Sequence, residues 1–582
     1  MKLDNLRHSC AHLLAAAVIE LWPKAKHAIG PAIENGFYYD FDFGDIKISE
    51  DDLPKIEKKM HELVREWKEM KMIEVTEEKA HDDFADNTYK LQLIGDFIQE
   101  KQQLQECISG KFYDLCRGGH IEKPSEKIKY FKLLSVAGAY WRGSEKNKML
   151  TRIYGTVFPT QEELEDYLKR QEEAKESDHR IIGKNLNLFV FSDLVGKGLP
   201  LLTPKGSVIR RELERFVVDE EIKRGYQHVY TPVLAKTDLF KTSGHYPYYK
   251  DTMYPVMKVD EDELILRPMT CPHHFMLYAA QPRSYKELPL KLAELSPQFR
   301  YEKSGELSGL MRVRTFILSD SHIFATRDQA KDQIKEVVDL INFLNDKLGF
   351  KVGQDYRFRL SLGDRKDEKK YYKDDKAWDF AEEVLRSVLK EIDAPYFEAP
   401  EQAAFYGPKI DVQMKRANGT EETAFTVQYD FVMPKRFELK YIDADGKEKE
   451  PVVIHRASIG ALERTMAFLI EKYKGNFPTW LTPVQVKVLP ITDRNLKYAQ
   501  TVVSNLKVAG IRTELDDRNE TLQAKIRDAQ LEKVAYMFIV GDREEKEGKI
   551  SVRKRNGEDL GAKDLEEFTQ TLKAEIDKKV IS

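Results

Sequence analysis

Hydrophobic and polar positions predict a helix near the amino terminus and a strand after it. The stretch His8–Leu21 is mostly apolar and predicts a helical opening. Residues 36–43 alternate imperfectly between apolar and polar, which is typical of a half-buried strand near a turn. A charged helix is predicted to begin at Thr160, because Thr160 and Glu163 have the spacing of a capping box. We interpret that helix as a strut between two domains.

The middle of the chain, from residue 181 to about 480, is rich in short runs with strand composition. The clearest runs are Leu264–Arg267, Phe299–Glu302 and Thr426–Phe431. A stretch with two prolines, residues 476–483, then interrupts the pattern as a linker does. We therefore expect one large domain that ends near residue 480.

The segment after this linker alternates regularly between strands and helices. Buried strands are predicted at 484–489, 511–515 and 536–540, with helices at 496–506 and 522–531. Such alternation indicates a separate α/β domain with a largely parallel sheet.

Composition then excludes several classes of protein. The chain has 582 residues, 41% of them hydrophobic and 33% charged, which suits about four soluble domains. Its net charge is −4, so any nucleic acid must be bound by local basic patches. No segment reaches the roughly 20 apolar residues of a membrane span. Four cysteines are too few for a disulfide scaffold, and we expect reduced thiols in a cytoplasmic protein.

Two pairs of potential ligands share a spacing of four residues. His8 and His12 would lie one turn apart on one face of a helix, and Cys116 and His120 repeat that spacing downstream. Three imidazoles and a thiol could bind zinc, or could form a hydrolytic pocket without metal. Ordinary surface histidines explain the first pair about as well. The spacing alone leaves these interpretations open.

A group of arginines in the middle of the chain suggests a site for anions. We predict that Phe299–Glu302 and Gly309–Phe316 pair as a β-hairpin. Arg300 could hold a phosphate or a carboxylate with two hydrogen bonds, and Phe316 could stack on a base. Pairing of these arginines with neighbouring glutamates, such as Glu306, is an equally good explanation.

Two further groups carry weaker signals. A helix is predicted to open over residues 459–464, where Gly460 would let a ligand approach the backbone and Arg464 lies one turn on. The remaining cysteine and histidines are scattered, and their spacing suggests only a buried thiol and hydrogen-bonded imidazoles. They are Cys271, His322 and His455.

Six segments match one known family in order: VAGAYWRGSEKNKMLTRIYGT, DHRIIGKNLNLF, RPMTCPHH, FRYEKSGELSGLMRVRTF, AFYGPKID and DDRNETLQAKIRDAQ. Together they resemble the threonyl-tRNA synthetases, which are class II aminoacyl-tRNA synthetases. The resemblance implies a multidomain α+β protein whose catalytic core is the class II antiparallel sheet. It implies an α+β editing domain (1–158), a linker helix (159–180), the catalytic domain (181–480) and a C-terminal α/β anticodon-binding domain (481–582).

The activity implied by the resemblance is ATP-dependent ligation of L-threonine to tRNA(Thr) through a threonyl-adenylate. Arg300 would hold the α-phosphate and the threonine carboxylate, Arg464 would bind the γ-phosphate, and Mg²⁺ would bridge the phosphates. Positioning and charge would suffice without a covalent nucleophile. His245 would help to take the proton of the tRNA ribose hydroxyl. The other implied nucleotide-binding and catalytic residues are Glu302, Arg312, Phe316, Gln428, Gly460 and Lys409.

The resemblance also implies how threonine is selected. Cys271, His322 and His455 would bind one zinc ion per subunit, which contacts the amino group and the hydroxyl of threonine. Valine lacks the hydroxyl and would be rejected strongly, whereas serine lacks only a methyl group worth about 1–3 kcal/mol. A second, hydrolytic site is therefore expected. The pocket would be completed by Asp320, Tyr406, Gln428 and Met269.

Residues at the two ends of the chain are implied to contact tRNA. Hydrolysis of seryl-tRNA(Thr) is assigned to a pocket of the first domain, and because the family's pocket contains no metal, the resemblance favours the metal-free interpretation. Its residues would be His8, His12, Lys90, Asp114, Cys116 and His120. The residues implied to contact the anticodon bases are Asn519, Lys533, Glu544 and Arg553.

Two alternatives belong to other functional classes. The chain could be a trans-editing hydrolase with an inactive ligase site, or a non-catalytic synthetase-like protein that binds RNA. The intact arginines and metal ligands argue against the first. Proteins of the second kind typically lose the ATP-binding arginines or the anticodon-binding domain, and this chain retains both. Leu318 and residues 422–426 depart from the family pattern beside the expected active site. The resemblance further implies a homodimer formed through residues 229–232, and a form that lacks the family's small ubiquitin-like N-terminal domain.

Overall fold

The computed structural model describes residues 3–144 and 146–581, apart from the side chain of Pro247. The chain divides into two units, Met1–Gln171 and Glu172–Ser582. In the described part of the chain, no helix has the length and the apolar composition needed to cross a membrane.

The first unit is built around its amino-terminal helix. Its helices are α1 (Leu3–Leu21), α2 (Leu53–Val64), α3 (Glu77–Asp83), α4 (Thr88–Gln99), α5 (Pro124–Lys127) and α6 (Gln161–Glu176), the last of which continues into the second unit. Its strands are β1 (Lys26–His27), β2 (Ala32–Ile33), β3 (Gly36–Asp42), β4 (Lys71–Glu74), β5 (Gln105–Ser109), β6 (Phe112–Leu115), β7 (Tyr130–Tyr140) and β8 (Met149–Phe158).

Two antiparallel sheets form this unit. The larger has the strand order β1-β3-β8-β7 with β2 paired to β3, and the smaller has the order β4-β5-β6. Helix α1 is buried around most of its circumference, because Leu14 and Val18 pack in one core with Phe37 and Ile153 of the larger sheet. The predicted helix is confirmed and begins five residues earlier than His8, so both histidines near its start lie at the edge of a core.

The charged helix predicted from Thr160 is confirmed as α6. The hydroxyl of Thr160 accepts the Glu163 N–H at 3.2 Å, and the Glu163 carboxylate accepts the Thr160 N–H at 3.3 Å. This reciprocal pair is the predicted capping box.

The second unit contains a large mixed α and β region followed by a smaller one. The helices of the large region are α7 (His179–Asn185), α8 (Pro204–Lys223), α9 (Thr237–Ser243), α10 (His245–Tyr248), α11 (Cys271–Ala279), α12 (Ala330–Lys347), α13 (Asp375–Glu391), α14 (Met433–Arg436) and α15 (Leu462–Tyr473). Its strands are β9 (Phe189–Val190), β10 (Leu201–Leu202), β11 (Gln227–His228), β12 (Leu234–Lys236), β13 (Met257–Val259), β14 (Asp262–Leu266), β15 (Leu290–Phe299), β16 (Thr315–Ala325), β17 (Tyr356–Ser361), β18 (Tyr396–Ala399), β19 (Lys409–Lys415), β20 (Glu421–Asp430), β21 (Tyr441–Ile442), β22 (Glu448–Lys449) and β23 (Val452–Ala461).

An eight-stranded sheet dominates this region, with the order β11-β15-β16-β23-β20-β19-β17-β18. All pairs are antiparallel except the two edge pairs, β11 with β15 and β17 with β18. The antiparallel core predicted for this region is therefore confirmed. The register sets His322 opposite His455, and His455 opposite Gln428, so that side chains from three strands become neighbours.

Two local predictions in this region are wrong. Only Phe299 of Phe299–Glu302 belongs to a strand, because β15 ends there and residues 300–314 form a long loop before β16. The hairpin itself is present, with Phe299 opposite Thr315. The helix predicted to open at residue 459 begins at Leu462, because residues 459–461 still pair as the end of β23.

The smaller region has strands β24 (Val486–Pro490), β25 (Thr513–Leu515), β26 (Tyr536–Val540), β27 (Lys549–Lys554) and β28 (Asp559–Asp564), and helices α16 (Leu496–Val508), α17 (Leu522–Leu531), α18 (Asp542–Glu547) and α19 (Leu565–Asp577). The sheet order is β25-β24-β26-β27-β28. The first three strands are parallel, but β27 and β28 are antiparallel additions, so the sheet is mixed rather than largely parallel as predicted. Both added strands are largely polar and carry no run of buried residues.

Candidate active sites

The cysteine and histidine residues singled out in the first unit lie together. His8 Nε2 is 3.3 Å from His12 Nε2, and Cys116 Sγ is 3.0 Å from His120 Nε2 and 3.7 Å from His8 Nε2. One donor atom of each residue lies within 4.8 Å of the other three. We call these four residues the amino-terminal cluster. The helical spacing of the first pair places both imidazoles on one face of α1, as predicted.

The second pair reaches this cluster through a loop rather than a helix. Residues 116–120 follow β6, and Gly118 and Gly119 have φ angles of 89° and 86°. Residues with a side chain rarely adopt these angles, so the two glycines allow the chain to curl back on itself. This reversal of the chain places the imidazole of His120 next to the thiol of Cys116.

A hydroxyl on α1 orients the imidazole of His120. Ser9 Oγ lies 3.3 Å from His120 Nδ1, and it donates its own proton to the Asn5 carbonyl at 2.8 Å. Because the hydroxyl proton is already used, Ser9 Oγ accepts the Nδ1–H of His120. The Nε2 atom of His120 is then unprotonated and can accept the thiol proton of Cys116.

A buried carboxylate supports the same cluster. Lys90 Nζ lies 2.5 Å from Asp114 Oδ1, and the Tyr39 hydroxyl donates to Oδ2. His27 Nε2 is 3.3 Å from Oδ1, and His12 Nδ1 is 3.8 Å from Oδ2. Burial opposes the ionised form, but Lys90 and His27 outweigh it and hold the pKa of Asp114 well below its usual range.

Burial sets the protonation states of the amino-terminal cluster. It lowers the pKa of His8 and of His12, lowers that of His120 to about 3, and raises the pKa of the Cys116 thiol to about 11. At neutral pH the imidazoles are uncharged and the thiol keeps its proton. A neutral imidazole can accept a proton from water, whereas a protonated thiol is a weak nucleophile. The arrangement suits general-base hydrolysis.

The second cluster of potential ligands comes from three separate elements. Cys271 is the first residue of α11, while His322 on β16 and His455 on β23 are direct cross-strand neighbours with ring centroids 4.6 Å apart. Their donor atoms all lie within 4.8 Å of one another, and all three residues are buried. We call them the sheet cluster. The spacing predicted their burial but gave no sign that they meet.

A carboxylate lies behind each histidine of the sheet cluster. His455 Nε2 is 2.7 Å from Asp430 Oδ2. His322 Nδ1 is 2.9 Å from His274 Nδ1, and His274 Nε2 is 3.4 Å from Glu294 Oε2. Metal-binding histidines commonly donate their second ring N–H to such partners. These contacts leave one ring nitrogen of each histidine, Nδ1 of His455 and Nε2 of His322, without a proton.

The donor set of the sheet cluster fits a zinc ion. Thiolate and imidazole are ligands that zinc prefers, and three protein ligands leave a coordination position open. Burial lowers the pKa of His322, so its imidazole is neutral as a ligand must be. Burial raises the pKa of the Cys271 thiol, and a bound divalent cation would favour the thiolate there.

Polar side chains line the sheet beside this cluster. Gln298 Nε2 donates to Asp320 Oδ2 at 3.3 Å, and burial raises the pKa of Asp320. The Tyr406 hydroxyl donates to Gln428 Oε1 at 2.5 Å, and its ring stacks on His455 with centroids 5.0 Å apart. The structure thus places Asp320, Tyr406 and Gln428 near the sheet cluster.

Two more predicted residues flank this group. Met269 packs against the apolar cluster that includes Cys271. Lys409 lies opposite Gln428 in the antiparallel register, and its Nζ is 3.0 Å from Asp411 Oδ1. Both residues therefore lie next to the sheet cluster and its polar neighbours, Tyr406 and Gln428.

His245 is buried and has one ring nitrogen free to accept a proton. Its Nδ1 is 2.8 Å from Ser243 Oγ, which donates its own proton to the Phe240 carbonyl at 2.9 Å. The hydroxyl therefore accepts the Nδ1–H and leaves Nε2 unprotonated. Burial lowers the pKa of His245 to about 3, and its ring lies 6.2 Å from that of Tyr406.

Arg300 follows directly after β15 and lies between protein acceptors. Its Nε donates to the Pro268 carbonyl at 3.2 Å, and one terminal nitrogen donates to Gln298 Oε1 at 3.4 Å. The guanidinium is 5.2 Å from the ring centroid of Phe316. Gln298 is therefore hydrogen bonded both to Arg300 and to Asp320, so the arginine lies two side chains from the sheet cluster.

The loop after Arg300 carries an ion pair. Arg312 lies 2.9 Å from the Glu302 carboxylate and 3.3 Å from that of Glu306. The alternative interpretation from the sequence, pairing with neighbouring glutamates, is therefore present in the structure. A phosphate bound at this loop would compete with both carboxylates for Arg312.

Arg464 and Gly460 connect β23 and α15 to their neighbours. Arg464 donates to the carbonyls of Met311 and Thr423 at 3.0 and 2.7 Å. Gly460 has a φ of 67°, and a Cβ there would lie 2.2 Å from the Ala424 carbonyl oxygen. The neighbouring strand, rather than an approaching ligand, explains why this position is glycine.

The four residues predicted to contact the anticodon lie at the two ends of the sheet that contains β26. Asn519 and Glu544 follow β25 and β26, at the carboxyl ends of parallel strands. Lys533 precedes β26, and Arg553 is paired with Met537 near its start. At about 3.3 Å per residue the strand is roughly 16 Å long, so the four do not form one compact pocket.

Several supporting residues were missed from the sequence. Ser9 and His274 lie inside predicted motifs and could have been found by their proximity to His8 and Cys271. The others carry no local signal, because only sheet pairing or core packing brings them to the sites. They are His27, Tyr39, Glu294 and Asp430.

Comparison with known proteins identifies three segments. Residues 254–473 match the tRNA synthetase class II core domain (G, H, P, S and T), residues 485–575 match an anticodon binding domain, and residues 107–154 match the threonyl and alanyl tRNA synthetase second additional domain. The chain is 50% identical to the threonine--tRNA ligase of Staphylococcus carnosus, over 99% of this chain and 88% of that protein. It is 51% identical to that of Staphylococcus epidermidis over the same shares.

A solved structure agrees with these similarities. The RNA binding domain of threonyl-tRNA synthetase from Cryptosporidium parvum Iowa II is 34% identical, with a TM-score of 0.65, over 68% of this chain and 98% of that one. The predicted α+β class, with a class II core, an editing-type domain and an anticodon-binding domain, is confirmed. This chain belongs to the threonine--tRNA ligase family of class II aminoacyl-tRNA synthetases.

Proposed function

We propose that this chain activates L-threonine with ATP, transfers it to tRNA(Thr), and hydrolyses seryl-tRNA(Thr) in its first unit. One observation carries the ligase proposal. Gln298 hydrogen bonds both to Arg300, which suits an anionic ligand, and to Asp320, which lies beside the sheet cluster. A candidate phosphate site and a candidate amino-acid site therefore lie next to each other on the antiparallel sheet.

The sheet cluster would select the amino acid. Cys271, His322 and His455 would hold zinc, which supplies a Lewis acid for the amino group and the hydroxyl of threonine. Asp320 would accept a hydrogen bond from threonine, with Tyr406, Gln428 and Met269 closing the pocket. Valine would leave these polar groups unpaired, and sites of this kind reject such analogues by about 10⁴-fold or more. Serine keeps the hydroxyl and is rejected only about 10–200-fold.

The arginines would position ATP, which enters as its magnesium complex. Arg300 would contact the α-phosphate and the threonine carboxylate, and Phe316 beside it would stack on the adenine. Arg312 would exchange its glutamate partners for the triphosphate, and Arg464 would bind the γ-phosphate. Lys409 and the backbone near Gly460 would complete the site. Attack of the threonine carboxylate on the α-phosphorus then releases pyrophosphate.

His245 would assist the transfer to tRNA. The terminal ribose hydroxyl of the tRNA would attack the carbonyl carbon of the adenylate and lose a proton, while the bond to phosphate breaks and AMP leaves. The free Nε2 of His245 is the acceptor that the hydrogen bond to Ser243 makes available. The imidazole of His245 is uncharged at neutral pH, as a proton acceptor must be.

The amino-terminal cluster would hydrolyse the ester of mischarged tRNA. His8 and His12 are neutral and either can accept a proton from the attacking water, whereas the unprotonated nitrogen of His120 already accepts a hydrogen bond from Cys116. The ion pair of Lys90 and Asp114 would orient His12 and add fixed charge below the ester. Cys116 would donate its thiol proton in a hydrogen bond to His120.

We further propose the assembly and the domain limits expected from the sequence. The editing domain would comprise residues 1–158, the linker helix 159–180, the catalytic domain 181–480 and the anticodon-binding domain 481–582. Asn519, Lys533, Glu544 and Arg553, at the two ends of the sheet that contains β26, would contact successive anticodon bases rather than a single base. A homodimer would form through residues 229–232, where Tyr230 is 94% exposed. The proposed partners are tRNA(Thr), threonine and ATP. The proposed location is the cytoplasm.

Threonine-dependent exchange between ATP and pyrophosphate tests the ligase proposal. Exchange with threonine, weaker exchange with serine and none with valine would support it. Absence of exchange by folded, zinc-loaded protein with all three amino acids would contradict it. Hydrolysis of pre-formed seryl-tRNA(Thr), measured separately, tests the editing proposal.

A further inference from the structure

A histidine outside both clusters is buried against the loop that joins β15 to β16. His179, the first residue of α7, is 0% exposed. Its Nε2 accepts the N–H of Leu310 at 3.1 Å, and its Nδ1 lies 2.8 Å from the Glu471 carboxylate. Because Nε2 accepts from a backbone amide, Nδ1 must carry the proton that it gives to Glu471. Both ring nitrogens are therefore engaged by one defined tautomer.

The carboxylate partner of His179 is itself fixed. Glu471 lies on α15, and Arg416 donates to its Oε1 at 2.8 Å. Burial opposes ionisation of Glu471, but His179 and Arg416 outweigh it and lower its pKa. The carboxylate is a permanent acceptor, so it holds the ring of His179 in one orientation.

The loop passes close to the imidazole of His179 at Gly309 and Leu310. Gly309, which precedes Leu310, has a φ of +48°, and a Cβ there would lie only 2.2 Å from His179 Nε2. On the following residue, the Met311 carbonyl accepts a hydrogen bond from Arg464 at 3.0 Å. The two consecutive residues of the loop are thus held from two sides, by an imidazole and by a guanidinium.

We propose that His179 is a positioning residue of the nucleotide site. Residues 300–314 carry Glu302 and Arg312, and the far end of this loop is anchored by the hydrogen bond from Leu310 to His179. That anchor would hold Arg312 and Arg464 at the separation that a triphosphate spans. The inference rests on the proposed ATP site and adds a residue that does not itself touch ATP.

Two amide substitutions separate the two hydrogen bonds of the imidazole. In His179→Asn the side-chain amide can still donate to Glu471 but cannot reach Leu310, and in His179→Gln the carbonyl oxygen can still accept from Leu310. We expect His179→Asn to raise the KM for ATP about tenfold in threonine-dependent exchange, the effect of one lost buried hydrogen bond. His179→Gln should stay within about threefold of wild type, and the KM for threonine should stay unchanged in both.

The design distinguishes positioning from a general loss of structure. Thermal unfolding of both variants reports stability, and titration with a non-hydrolysable ATP analogue reports binding without turnover. Gly309→Ala should weaken ATP in the same way, because its Cβ moves the loop away from an intact His179. An unchanged KM for ATP in folded His179→Asn would overturn the inference, and so would equal losses for ATP and threonine in both amide variants. Failure of wild-type protein to catalyse exchange would instead contradict the proposed function.

Discussion

The amino-terminal cluster and the sheet cluster contain the same chemistry but differ in what lies behind the ligands. Each has a cysteine and at least two histidines with donor atoms within 4.8 Å. In the sheet cluster His455 is backed by Asp430 and His322 by a second histidine that leads to a carboxylate. In the amino-terminal cluster His120 is backed by a hydroxyl. These outer partners, and not the ligand types, separate the two sites.

The carboxylate nearest to the amino-terminal cluster serves another purpose. Asp114 lies 3.8 Å from His12, and its oxygens already interact with Lys90 and Tyr39. That arrangement orients a base and places fixed charge nearby, whereas the partners behind the sheet cluster engage one ring nitrogen of each histidine and leave the other free to bind a metal. The comparison teaches that proximity of cysteine and histidine does not define a metal site until the second ring nitrogen is followed to its partner.

The largest expected effect is on hydrolysis. His12→Ala removes a candidate general base, and we expect hydrolysis of seryl-tRNA(Thr) to fall about 100- to 10,000-fold. Deacylation of pre-formed seryl-tRNA(Thr) under single-turnover conditions measures it. Threonine-dependent ATP–pyrophosphate exchange is the internal control and should not change, since we propose that the ligase chemistry belongs to the sheet cluster. An equal loss of ATP–pyrophosphate exchange would show that the two clusters do not carry separate activities.

The sheet cluster is tested by the reciprocal change. In Cys271→Ala we expect threonine-dependent exchange to fall more than about 100-fold, because removal of a ligand should exceed the effect of outer-partner changes. Cys116→Ala is the matched control, since it removes the thiol of the other cluster and should leave exchange intact. Equal effects of the two cysteine variants on exchange would show that the clusters are not functionally separate.

A smaller effect is expected from the outer partner. Asp430→Asn keeps an oxygen for the backbone N–H groups of Val432 and Met433. It also turns an N–H toward His455 in place of the carboxylate. We expect zinc affinity to fall about 10- to 100-fold, as measured by competition with a chelator. Wild-type affinity in this variant would contradict the role given to Asp430.

The smallest effect concerns pH. The pKa of His12, the candidate general base, is lowered well below the ordinary histidine value of about 6.5 and that of His120 is lowered to about 3, so both imidazoles remain neutral well below pH 6.5. Seryl-tRNA(Thr) hydrolysis should change less than about twofold between pH 5.5 and 7.5, since each base stays unprotonated. An inflection near pH 6.5 in the rate profile would contradict this electrostatic account.

The same pKa shifts determine whether the free energy of unfolding rises or falls with pH. Below about pH 6.5 these histidines bind protons in the unfolded chain before they do so in the folded one, so the free energy of unfolding falls as the pH decreases. The lowered pKa of Asp114 affects the free energy of unfolding only at lower pH. Its stabilisation is present above its unfolded pKa of about 3.9 and is lost as the pH falls through the folded value.

Local patterns predicted the elements that have strong periodicity or explicit caps. Helix α1, the capping box of α6 and strand β26 follow directly from spacing and composition. Strands β27 and β28 were missed, because they are mostly polar and their partner is a distant strand. The start of α15 was misplaced because β23 continues as a paired strand to Ala461.

The sites were predictable to different degrees for one physical reason. His8 and His12 meet through helix geometry, which is local, so spacing alone could nominate them. Cys271, His322 and His455 meet through sheet register and a helix end, which spacing cannot show, and only the resemblance to a family grouped them. The contacts of His179 were even harder to predict from the sequence, since its partners come from a loop and another helix.

Zinc content per chain tests the central claim most directly, namely that only the sheet cluster is a metal site. Purified wild type, Cys116→Ala and Cys271→Ala would be compared by elemental analysis after removal of loosely bound metal. The account predicts one zinc per chain in wild type and in Cys116→Ala, and none in Cys271→Ala. Two zinc ions in wild type, or loss of zinc in Cys116→Ala with retention in Cys271→Ala, would contradict it.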